Sequence, residues 1–288
     1  MKKIITWIAG GLGNQLFQYA AARSLALDLQ IELVLDTSFF LKPRIRGYKL
    51  VAYNIMARKL SPLEFVSIKR LKYKWIPIEY LFKTPILQVD ENTLAEGMNQ
   101  EFPTLYMRGY WQNENYFIKY RPEILGELSL KHAPPLNIQE MAKKMSEEQS
   151  VSIHVRRGDY VNNPIVKNIF GVLSMDYYEK AIALIQEQVK NPIFYVFSDD
   201  IQWSQQYFFP EMDKNFVNVE GKYHDIYELW LMTHCKHHVI ANSSFSWWGA
   251  WAGTFPGKIV IAPEHWTNRE IKELKNVLPS QWHKISNP

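Results

Sequence analysis

The chain has 288 residues, of which 47% are hydrophobic and 22% are charged, the balance of an ordinary soluble globular protein. This composition excludes intrinsic disorder and supplies enough apolar side chains for one or two sizeable cores. A single cysteine, Cys235, excludes an intramolecular disulfide and a thiolate zinc cage, and it fits a reducing compartment. No apolar stretch approaches the roughly 20 residues that span a bilayer, so we expect a cytoplasmic protein.

The net charge of +4 is unevenly distributed along the chain. Residues 1–145 carry 20 Lys and Arg against 13 Asp and Glu, whereas residues 146–288 carry 13 against 16. Within residues 42–74, ten cations face only Glu64, and aromatic residues are interleaved. A solvated helical face explains this pattern most simply. Peripheral contact with an anionic membrane surface or a phosphate-bearing acceptor is the alternative, and nucleic acid is not expected.

The first half of the chain predicts a βαβ unit. Residues 4–8 form a short apolar run, residues 10–13 form a glycine-rich turn, and residues 14–29 place apolar side chains at helical spacing. Residues 31–35 predict a second strand, closed by Asp36. This order of elements predicts a parallel sheet. The rest of the first half is harder to interpret, because short segments alternate with prolines.

Paired prolines in residues 131–137 predict a linker, after which the α/β alternation resumes. Strands are predicted at residues 150–155, 193–197, 238–241 and 258–262, and helices at residues 175–189, 225–235 and 246–252. We therefore predict an α/β fold of two Rossmann-like domains facing a cleft, with an N-terminal domain of residues 1–145 and a C-terminal domain of residues 146–288.

The turn at residues 10–15 reads Gly-Gly-Leu-Gly-Asn-Gln and lies between a strand and a helix, where helix N-terminal amides attract anions. Leu16 stands where the dinucleotide fingerprint has its last glycine, and no Walker lysine follows. The pattern fits two interpretations: a tight turn without a ligand, or a turn that lines a cleft. In the second case, Asn14 and Gln15 would offer neutral hydrogen-bonding groups to sugar hydroxyls.

Residues 154–160, His-Val-Arg-Arg-Gly-Asp-Tyr, are the most informative segment. On an alternating strand His154 and Arg156 share one face, and Arg157 begins the exit turn. A guanidinium forms bidentate, permanently charged hydrogen bonds to phosphate, which indicates an anion site. Asp159 could orient one arginine, and His154 could bind or move a proton. A structural Arg–Asp pair at the end of a strand is the alternative.

Two further polar segments follow predicted strands. Ser198, Asp199 and Asp200 end one strand, where carboxylates can accept from ribose hydroxyls or guanine nitrogens, or can cap a helix. Residues 242–246, Asn-Ser-Ser-Phe-Ser, cluster hydroxyls and amides at a helix start and predict an anion cradle without fixed charge. The tryptophans that follow at helical spacing are predicted to lie in the core: Trp247, Trp248 and Trp251.

Taken in order, residues 10–20, 154–160, 197–200 and 242–249 resemble the motifs of glycosyltransferase family eleven, the α-1,2-fucosyltransferases. The resemblance runs from about Ile4 to Pro263. It implies a GT-B fold, GDP-fucose as donor, inversion at the anomeric carbon and no requirement for a metal or other cofactor. It also implies a product with fucose α-1,2-linked to a terminal galactose of an oligosaccharide. The C-terminal half would bind the nucleotide and the N-terminal half the acceptor.

Within this resemblance, Arg156 would neutralise the charge that develops on the departing pyrophosphate. Arg157 and the cradle would assist it: Asn242, Ser243, Ser244, Phe245 and Ser246. Ser198, Asp199 and Asp200 would hold the nucleoside, and the glycine turn would close over the pyrophosphate or sugar: Gly11, Gly13, Asn14 and Gln15.

His154 and Asp159 are the candidate bases in the sequence. Two alternatives stay open for the catalytic base. It could come from the N-terminal half, or the reaction could need no base if attack is late and dissociative. The alternative functions are another fucosyl linkage and a non-catalytic carbohydrate- or nucleotide-binding protein. The sequence predicts no oligomeric state.

Overall fold

The computed structural model describes residues 2–41, 47–65, 86–98 and 104–287. The chain divides into two compact units, Met1–Lys131 and His132–Pro288, and each contains a parallel β-sheet with helices. The predicted α/β class and parallel strands are confirmed. The division lies at the start of the predicted linker, 14 residues before the expected boundary at residues 145 and 146.

In the described part of the first unit, five parallel strands are ordered β3-β2-β1-β5-β4. The strands are β1 (Lys3–Trp7), β2 (Glu32–Asp36), β3 (Arg58–Lys59), β4 (Ile86–Val89) and β5 (Thr104–Met107). The helices are α1 (Leu12–Leu29), α2 (Leu94–Met98) and α3 (Arg121–Glu127). The predicted βαβ unit is thus confirmed, with α1 beginning two residues earlier than expected because Gly11 is its N-cap. The strands β3, β4 and β5 were not predicted.

The second unit contains six parallel strands in the order β11-β10-β9-β6-β7-β8. They are β6 (Ser150–Val155), β7 (Ile193–Ser198), β8 (Asn215–Val217), β9 (His237–Val239), β10 (Val260–Pro263) and β11 (His283–Ile285). The helices are α4 (Leu136–Glu147), α5 (Gly158–Asn162), α6 (Pro164–Phe170), α7 (Met175–Gln188), α8 (Ile201–Tyr207), α9 (His224–His234) and α10 (Ser244–Ala252). The four predicted strands and three predicted helices are all present, with shifted ends.

Helices cover both faces of the second sheet because its strands are apolar on both sides. Along β7, Phe194 and Val196 join the cluster beneath α7, whereas Tyr195 and Phe197 join the opposite cluster with residues of α4 and α9. This packing places α4 in the second unit and explains why the division precedes residue 145. The three predicted core tryptophans are buried in α10.

Residues 42–46 and 66–74 of the basic segment lie outside the described residues, and they include seven of its ten cations: Lys42, Arg44, Arg46, Lys69, Arg70, Lys72 and Lys74. Of the described cations, Arg58 is paired with Glu32 and Glu64 at 2.7 Å. Lys59 lies over the ring of Tyr48, with Nζ 4.6 Å from its centre. In the part of the chain that the structure describes, every helix is too short or too polar to cross a membrane.

Candidate functional site

The register of β6 brings three polar segments of the second unit to one edge of its sheet. Val155 lies opposite Ser198 of β7, and Ile153 lies opposite Val239 of β9. The segments that follow these strands therefore leave the sheet side by side at its carboxyl edge, where open α/β sheets bind their ligands. The structure thus brings together the three segments that the sequence singled out in this half.

Arg156 lies between two carboxylates directly after β6. Its Nη1 donates to Oδ2 of Asp199 at 2.8 Å, and its Nη2 donates to Oδ1 of Asp159. The guanidinium also lies over the ring of Tyr160, 5.2 Å from its centre. Its buried Nε has no hydrogen-bond partner within the described residues. Arg156 is therefore a fixed cation with one donor still unsatisfied.

Arg157 is held differently. Its Nε donates to Oδ2 of Asp200 at 3.3 Å, and its guanidinium carbon lies 3.6 Å from the centre of the Trp203 ring. Nη1 and Nη2 make no hydrogen bond to another described residue. Within the described part of the chain, two charged donors are thus free on a side chain that is 17% exposed.

Asp199 and Asp200 anchor the arginine segment. Asp199 accepts from the Arg156 guanidinium and, at 2.8 Å, from the backbone N–H of Arg157. Asp200 caps α8 by accepting from the backbone N–H of Trp203 at 3.3 Å, and its own N–H donates to Ser198 Oγ. Both carboxylates thus serve the arginines and the backbone, and their expected role in holding the nucleoside stays a prediction.

Gly158 allows the close approach of these two segments. A Cβ at this position would lie 2.3 Å from Oδ2 of Asp199, well inside van der Waals contact. A side chain here would displace the carboxylate that holds Arg156. The glycine in the Arg-Arg-Gly-Asp segment is therefore required by the ion pair beside it.

His154 is the second-last residue of β6 and is 3% exposed. Its burial, together with the charge of Arg156, lowers the pKa of the imidazole to about 3. Its Nδ1 has no hydrogen-bond partner within the described residues, and its ring lies 5.6 Å from that of Phe245. Histidine with so low a pKa is a weak base, so the geometry disfavours His154 as the proton acceptor.

The segment after β9 forms the start of α10. Ser243 caps the helix by accepting from the backbone N–H of Phe245, while Ser246 Oγ donates to backbone carbonyls of Ala241 and Ser243. Ser244 and Phe245 are partly exposed, and the first turn contains no acidic residue. The serines therefore build the helix start, and the anion-attracting groups of this segment are its backbone N–H groups.

Asn242 connects the cradle with the neighbouring loops. Its Nδ2 donates to the backbone carbonyls of Phe170 and Trp266, and the backbone carbonyl of Asn242 accepts from the hydroxyl of Tyr160 at 2.8 Å. Its buried Oδ1 has no hydrogen-bond partner within the described residues. Together with the orphaned nitrogens of His154 and Arg156, this gives three unsatisfied buried polar atoms near one sheet edge, the pattern expected of a ligand site.

A cavity of about 670 Å³ adjoins this edge beyond β10. Its wall includes Trp266, whose carbonyl accepts from Asn242, and Asn268, whose amide donates to the carbonyls of Lys167 and Asn168. The volume lies in the range of small-molecule sites.

The glycine turn in the first unit is a different kind of polar site. Gly10 has φ +78°, and the amide of Gln15 is fully buried. Gln15 Nε2 donates to the carbonyls of Gly10 and Gly47, and its Oε1 accepts from the backbone N–H of Lys49 at 2.9 Å. The hydrogen-bonding groups of Gln15 thus hold the segment at residues 47–49, and its expected role at the pyrophosphate or sugar stays a prediction.

The other members of the turn vary in exposure. Asn14 is partly exposed, and its Oδ1 accepts from Gln112 at 2.8 Å. Gly11 is the N-cap of α1, and Gly13 is buried within its first turn. Gly11 and Asn14 therefore keep surface at the carboxyl end of β1, whereas Gly13 and Gln15 are interior residues.

Sequence reasoning assigned no role to Tyr160, and it did not identify two further residues near the arginine cluster, Trp203 and Glu228. Glu228 lies in α9, and burial raises the pKa of its carboxyl group to about 8, assisted by the charges of Asp225 and Asp199. Its Oε1 accepts from the backbone N–H of Val219 at 3.4 Å. In the sequence, an acidic residue inside an apolar helix was the available signal for this buried carboxyl.

Comparisons with known proteins agree with this geometry. Residues 3–286 match the protein family described as Glycosyl transferase family 11. The chain is 34% identical to an alpha-1,2-colitosyltransferase of Escherichia coli, with 99% of each chain covered. It is also 34% identical to the O-antigen biosynthesis glycosyltransferase WbnK of Escherichia coli, with 90% of this chain and 93% of the relative covered.

Among solved structures, the chain is similar to the NodZ alpha-1,6-fucosyltransferase soaked with GDP-fucose. The TM-score is 0.54 at 13% sequence identity, and the match covers 90% of this chain and 94% of NodZ. At this identity the likeness concerns the fold, and it agrees with the α/β architecture of parallel sheets described above.

Proposed function

Because the chain belongs to glycosyltransferase family 11, we propose that it transfers L-fucose from GDP-β-L-fucose to the 2-hydroxyl of a terminal galactose, with inversion to an α-1,2 linkage. The observation that carries the proposal is the pair of guanidinium groups at the carboxyl edge of β6. Arg157 presents free Nη1 and Nη2, and Arg156 has an unsatisfied Nε. Such donors suit the two phosphates of a nucleotide sugar.

Departure of GDP places negative charge on the β-phosphate as the glycosidic bond breaks. Arg156 is already fixed by Asp199, and Arg157 is already held against the Trp203 ring beside Asp200, so they stabilise this charge with little reorganisation. The N-terminal backbone groups of α10 add dipoles of the same sign. In this proposal, the charge is neutralised without a metal ion, and full activity is expected in EDTA.

The two arginines face three carboxylates, so an incoming phosphate must compete with one of them. Asp199 is the least exposed of the three, at 26%, against 39% for Asp159 and 38% for Asp200. In this proposal, Asp199 keeps Arg156 in place when the donor binds.

Neither candidate base in this segment suits an early proton transfer. The pKa of His154 is about 3, and the carboxylate of Asp159 is paired with Arg156. The proposal therefore has the bond to GDP largely broken before the acceptor oxygen attacks. The acceptor proton is then lost late, when the new bond has made that oxygen acidic.

Transfer of colitose is the second candidate, because the 34% identity to an alpha-1,2-colitosyltransferase extends over 99% of this chain. The two candidates share linkage and phosphate chemistry and differ in the donor sugar. The name of WbnK supports an acceptor that is an intermediate of a surface polysaccharide. We place the reaction in the cytoplasm, at the inner membrane surface if the cations at residues 42–74 bind anionic lipid.

The test is incubation with GDP-fucose or GDP-colitose and a panel of galactosides in EDTA, reading GDP release and product linkage. An α-1,2-fucosylated product supports the proposal. Selective use of GDP-colitose would show that the donor sugar is colitose instead of fucose. A different linkage leaves fucosyl transfer but overturns the assigned acceptor hydroxyl. Absence of both turnover and GDP binding contradicts the whole assignment.

A further inference from the structure

Arg157 and Trp203 form the tightest cation–aromatic contact among the site residues. The guanidinium carbon lies 3.6 Å from the centre of the indole, compared with 5.2 Å between Arg156 and the ring of Tyr160. At 3.6 Å the guanidinium is in van der Waals contact with the ring. Trp is the aromatic side chain that attracts cations most strongly.

Asp200 links the two members of this contact. Its Oδ2 accepts from Nε of Arg157, and its Oδ1 accepts from the backbone N–H of Trp203, both at 3.3 Å. The carboxylate of Asp200 is 38% exposed. A long hydrogen bond to a partly exposed group restricts a flexible arginine side chain poorly, so the indole must supply much of the constraint.

Trp203 is itself held by the core of the second unit. Its ring packs against the apolar cluster that joins β6, β7 and α7. Tyr207, one turn further along α8, lies 5.7 Å from it on the exposed side. The indole thus packs against apolar residues outside the proposed site, while the backbone of Trp203 is bound to Asp200.

We propose that Trp203 is a positioning residue for the reaction. Its indole holds the Arg157 guanidinium flat, so that Nη1 and Nη2 are ready to bind the donor diphosphate. The inference rests on the proposed function, because it requires a diphosphate-bearing donor. It goes beyond that function by assigning an apolar core residue to donor affinity through a second side chain.

The experiment compares Trp203→Leu and Trp203→Phe, each made in the natural chain and in an Arg157→Met background. Calorimetry gives the Kd for GDP, and turnover of GDP-fucose gives KM and kcat. Thermal unfolding checks that each variant is folded. Tyr207→Leu is the matched control, because it changes the ring that contacts Trp203 on the side away from the core.

Loss of the indole face is expected to raise the Kd for GDP and the KM for GDP-fucose about 10-fold in Trp203→Leu, with kcat changed less than about 3-fold. Trp203→Phe fills the core and keeps a weaker ring face, so its loss is about 3-fold. In the Arg157→Met background, both substitutions change the Kd less than about 2-fold. Tyr207→Leu leaves all three constants unchanged.

Equal losses in the two backgrounds would show that Trp203 acts through the fold alone and would overturn the inference. Unchanged GDP affinity in both folded Trp203 variants would overturn it as well. If Trp203→Leu does not fold, the Trp203→Phe pair decides. Failure of the natural chain to bind GDP contradicts the proposed function. Normal GDP binding by the natural chain, with the same Kd in the Trp203 variants, contradicts the inference alone.

Discussion

The two polar regions that resemble family motifs use their hydrogen-bonding groups in different ways. At the glycine turn of the first unit, the amide of Gln15 makes three hydrogen bonds to backbone groups and is completely buried. At the arginine cluster of the second unit, two donors of Arg157 and one of Arg156 have no hydrogen-bond partner among the described residues. The comparison separates a motif that builds the fold from a motif that is prepared for a ligand, which residue types alone do not distinguish.

The largest effect is expected for Arg156→Ala. Removing this cation leaves Asp199 without its guanidinium partner and the departing phosphate without its fixed charge. We expect kcat/KM for GDP-fucose to fall by about 10²–10³, the scale of losing one preorganised donor to a developing oxyanion. Steady-state kinetics on the folded variant provide the measurement.

Arg58→Ala is the matched control, because Arg58 is also paired with two carboxylates, Glu32 and Glu64, but lies on β3. Its activity should equal that of the natural chain. Near-normal turnover in a folded Arg156→Ala protein would contradict the role of the arginine cluster.

The opposite outcome is expected for Gln15→Met. This substitution keeps the volume of the side chain but leaves the carbonyls of Gly10 and Gly47 and the N–H of Lys49 without their partner. Unsatisfied groups of this kind reduce the free energy of unfolding by about 2–3 kcal/mol. The Kd for GDP should not change in the folded protein.

Denaturant unfolding and calorimetry measure the two quantities. Gln186→Met on the exposed face of α7 is the control, with a change within about 0.5 kcal/mol. A stable Gln15→Met protein with weakened GDP binding would show that Gln15 binds the nucleotide sugar.

The sequence predicted the fold best where its periodicity was strong. The apolar residues of β6 and β7 and the helical stripe of α7 appear at the expected positions, since these side chains are buried against the two faces of the sheet. It failed for short strands such as β8 and β11, which have three residues each and carry too little pattern. The boundary at residue 145 was misplaced because α4 packs on strands that follow it in the chain.

The sequence predicted which residues of the candidate site lie close together, but not which partners their side chains contact. Residues that follow neighbouring parallel strands must meet at one edge, so the proximity of Arg156 and Asp199 followed from the strand order. The hydrogen-bond partner of each carboxylate depends on side-chain geometry, which the spacing of residues along the sequence does not determine. For the same reason, Trp203 and Glu228 were not identified, because their chemistry arises from what the fold places beside them.

Gly158→Ala tests whether close packing maintains the arginine cluster. The new Cβ would lie 2.3 Å from Oδ2 of Asp199, so the carboxylate must move and Arg156 must follow. We expect unfolding free energy to fall by about 1–2 kcal/mol, with GDP affinity roughly 10-fold weaker. Gly126→Ala in α3 is the control, since nothing lies within 4 Å of its Cβ, and helix propensity favours alanine. Unchanged GDP affinity in Gly158→Ala would show that Asp199 does not control Arg156.

The smallest effect expected is a change in the pH dependence of stability in Glu228→Gln. Burial raises the pKa of Glu228 from 4.5 to about 8, with the charges of Asp225 and Asp199 adding to the shift. Between these values the folded chain binds one more proton than the unfolded chain at this residue, so its contribution to stability falls as the pH rises and is lost above pH 8. Relative to Glu228→Gln, the natural chain should lose about 1 kcal/mol of unfolding free energy between pH 7 and 8. Paired denaturation curves at these two pH values measure the difference, in which the titration of the buried histidines cancels. Parallel pH profiles for the two proteins would show that Glu228 is already ionised beside Asp199, and the carboxyl group would then add negative charge to the edge where the arginines must bind phosphate.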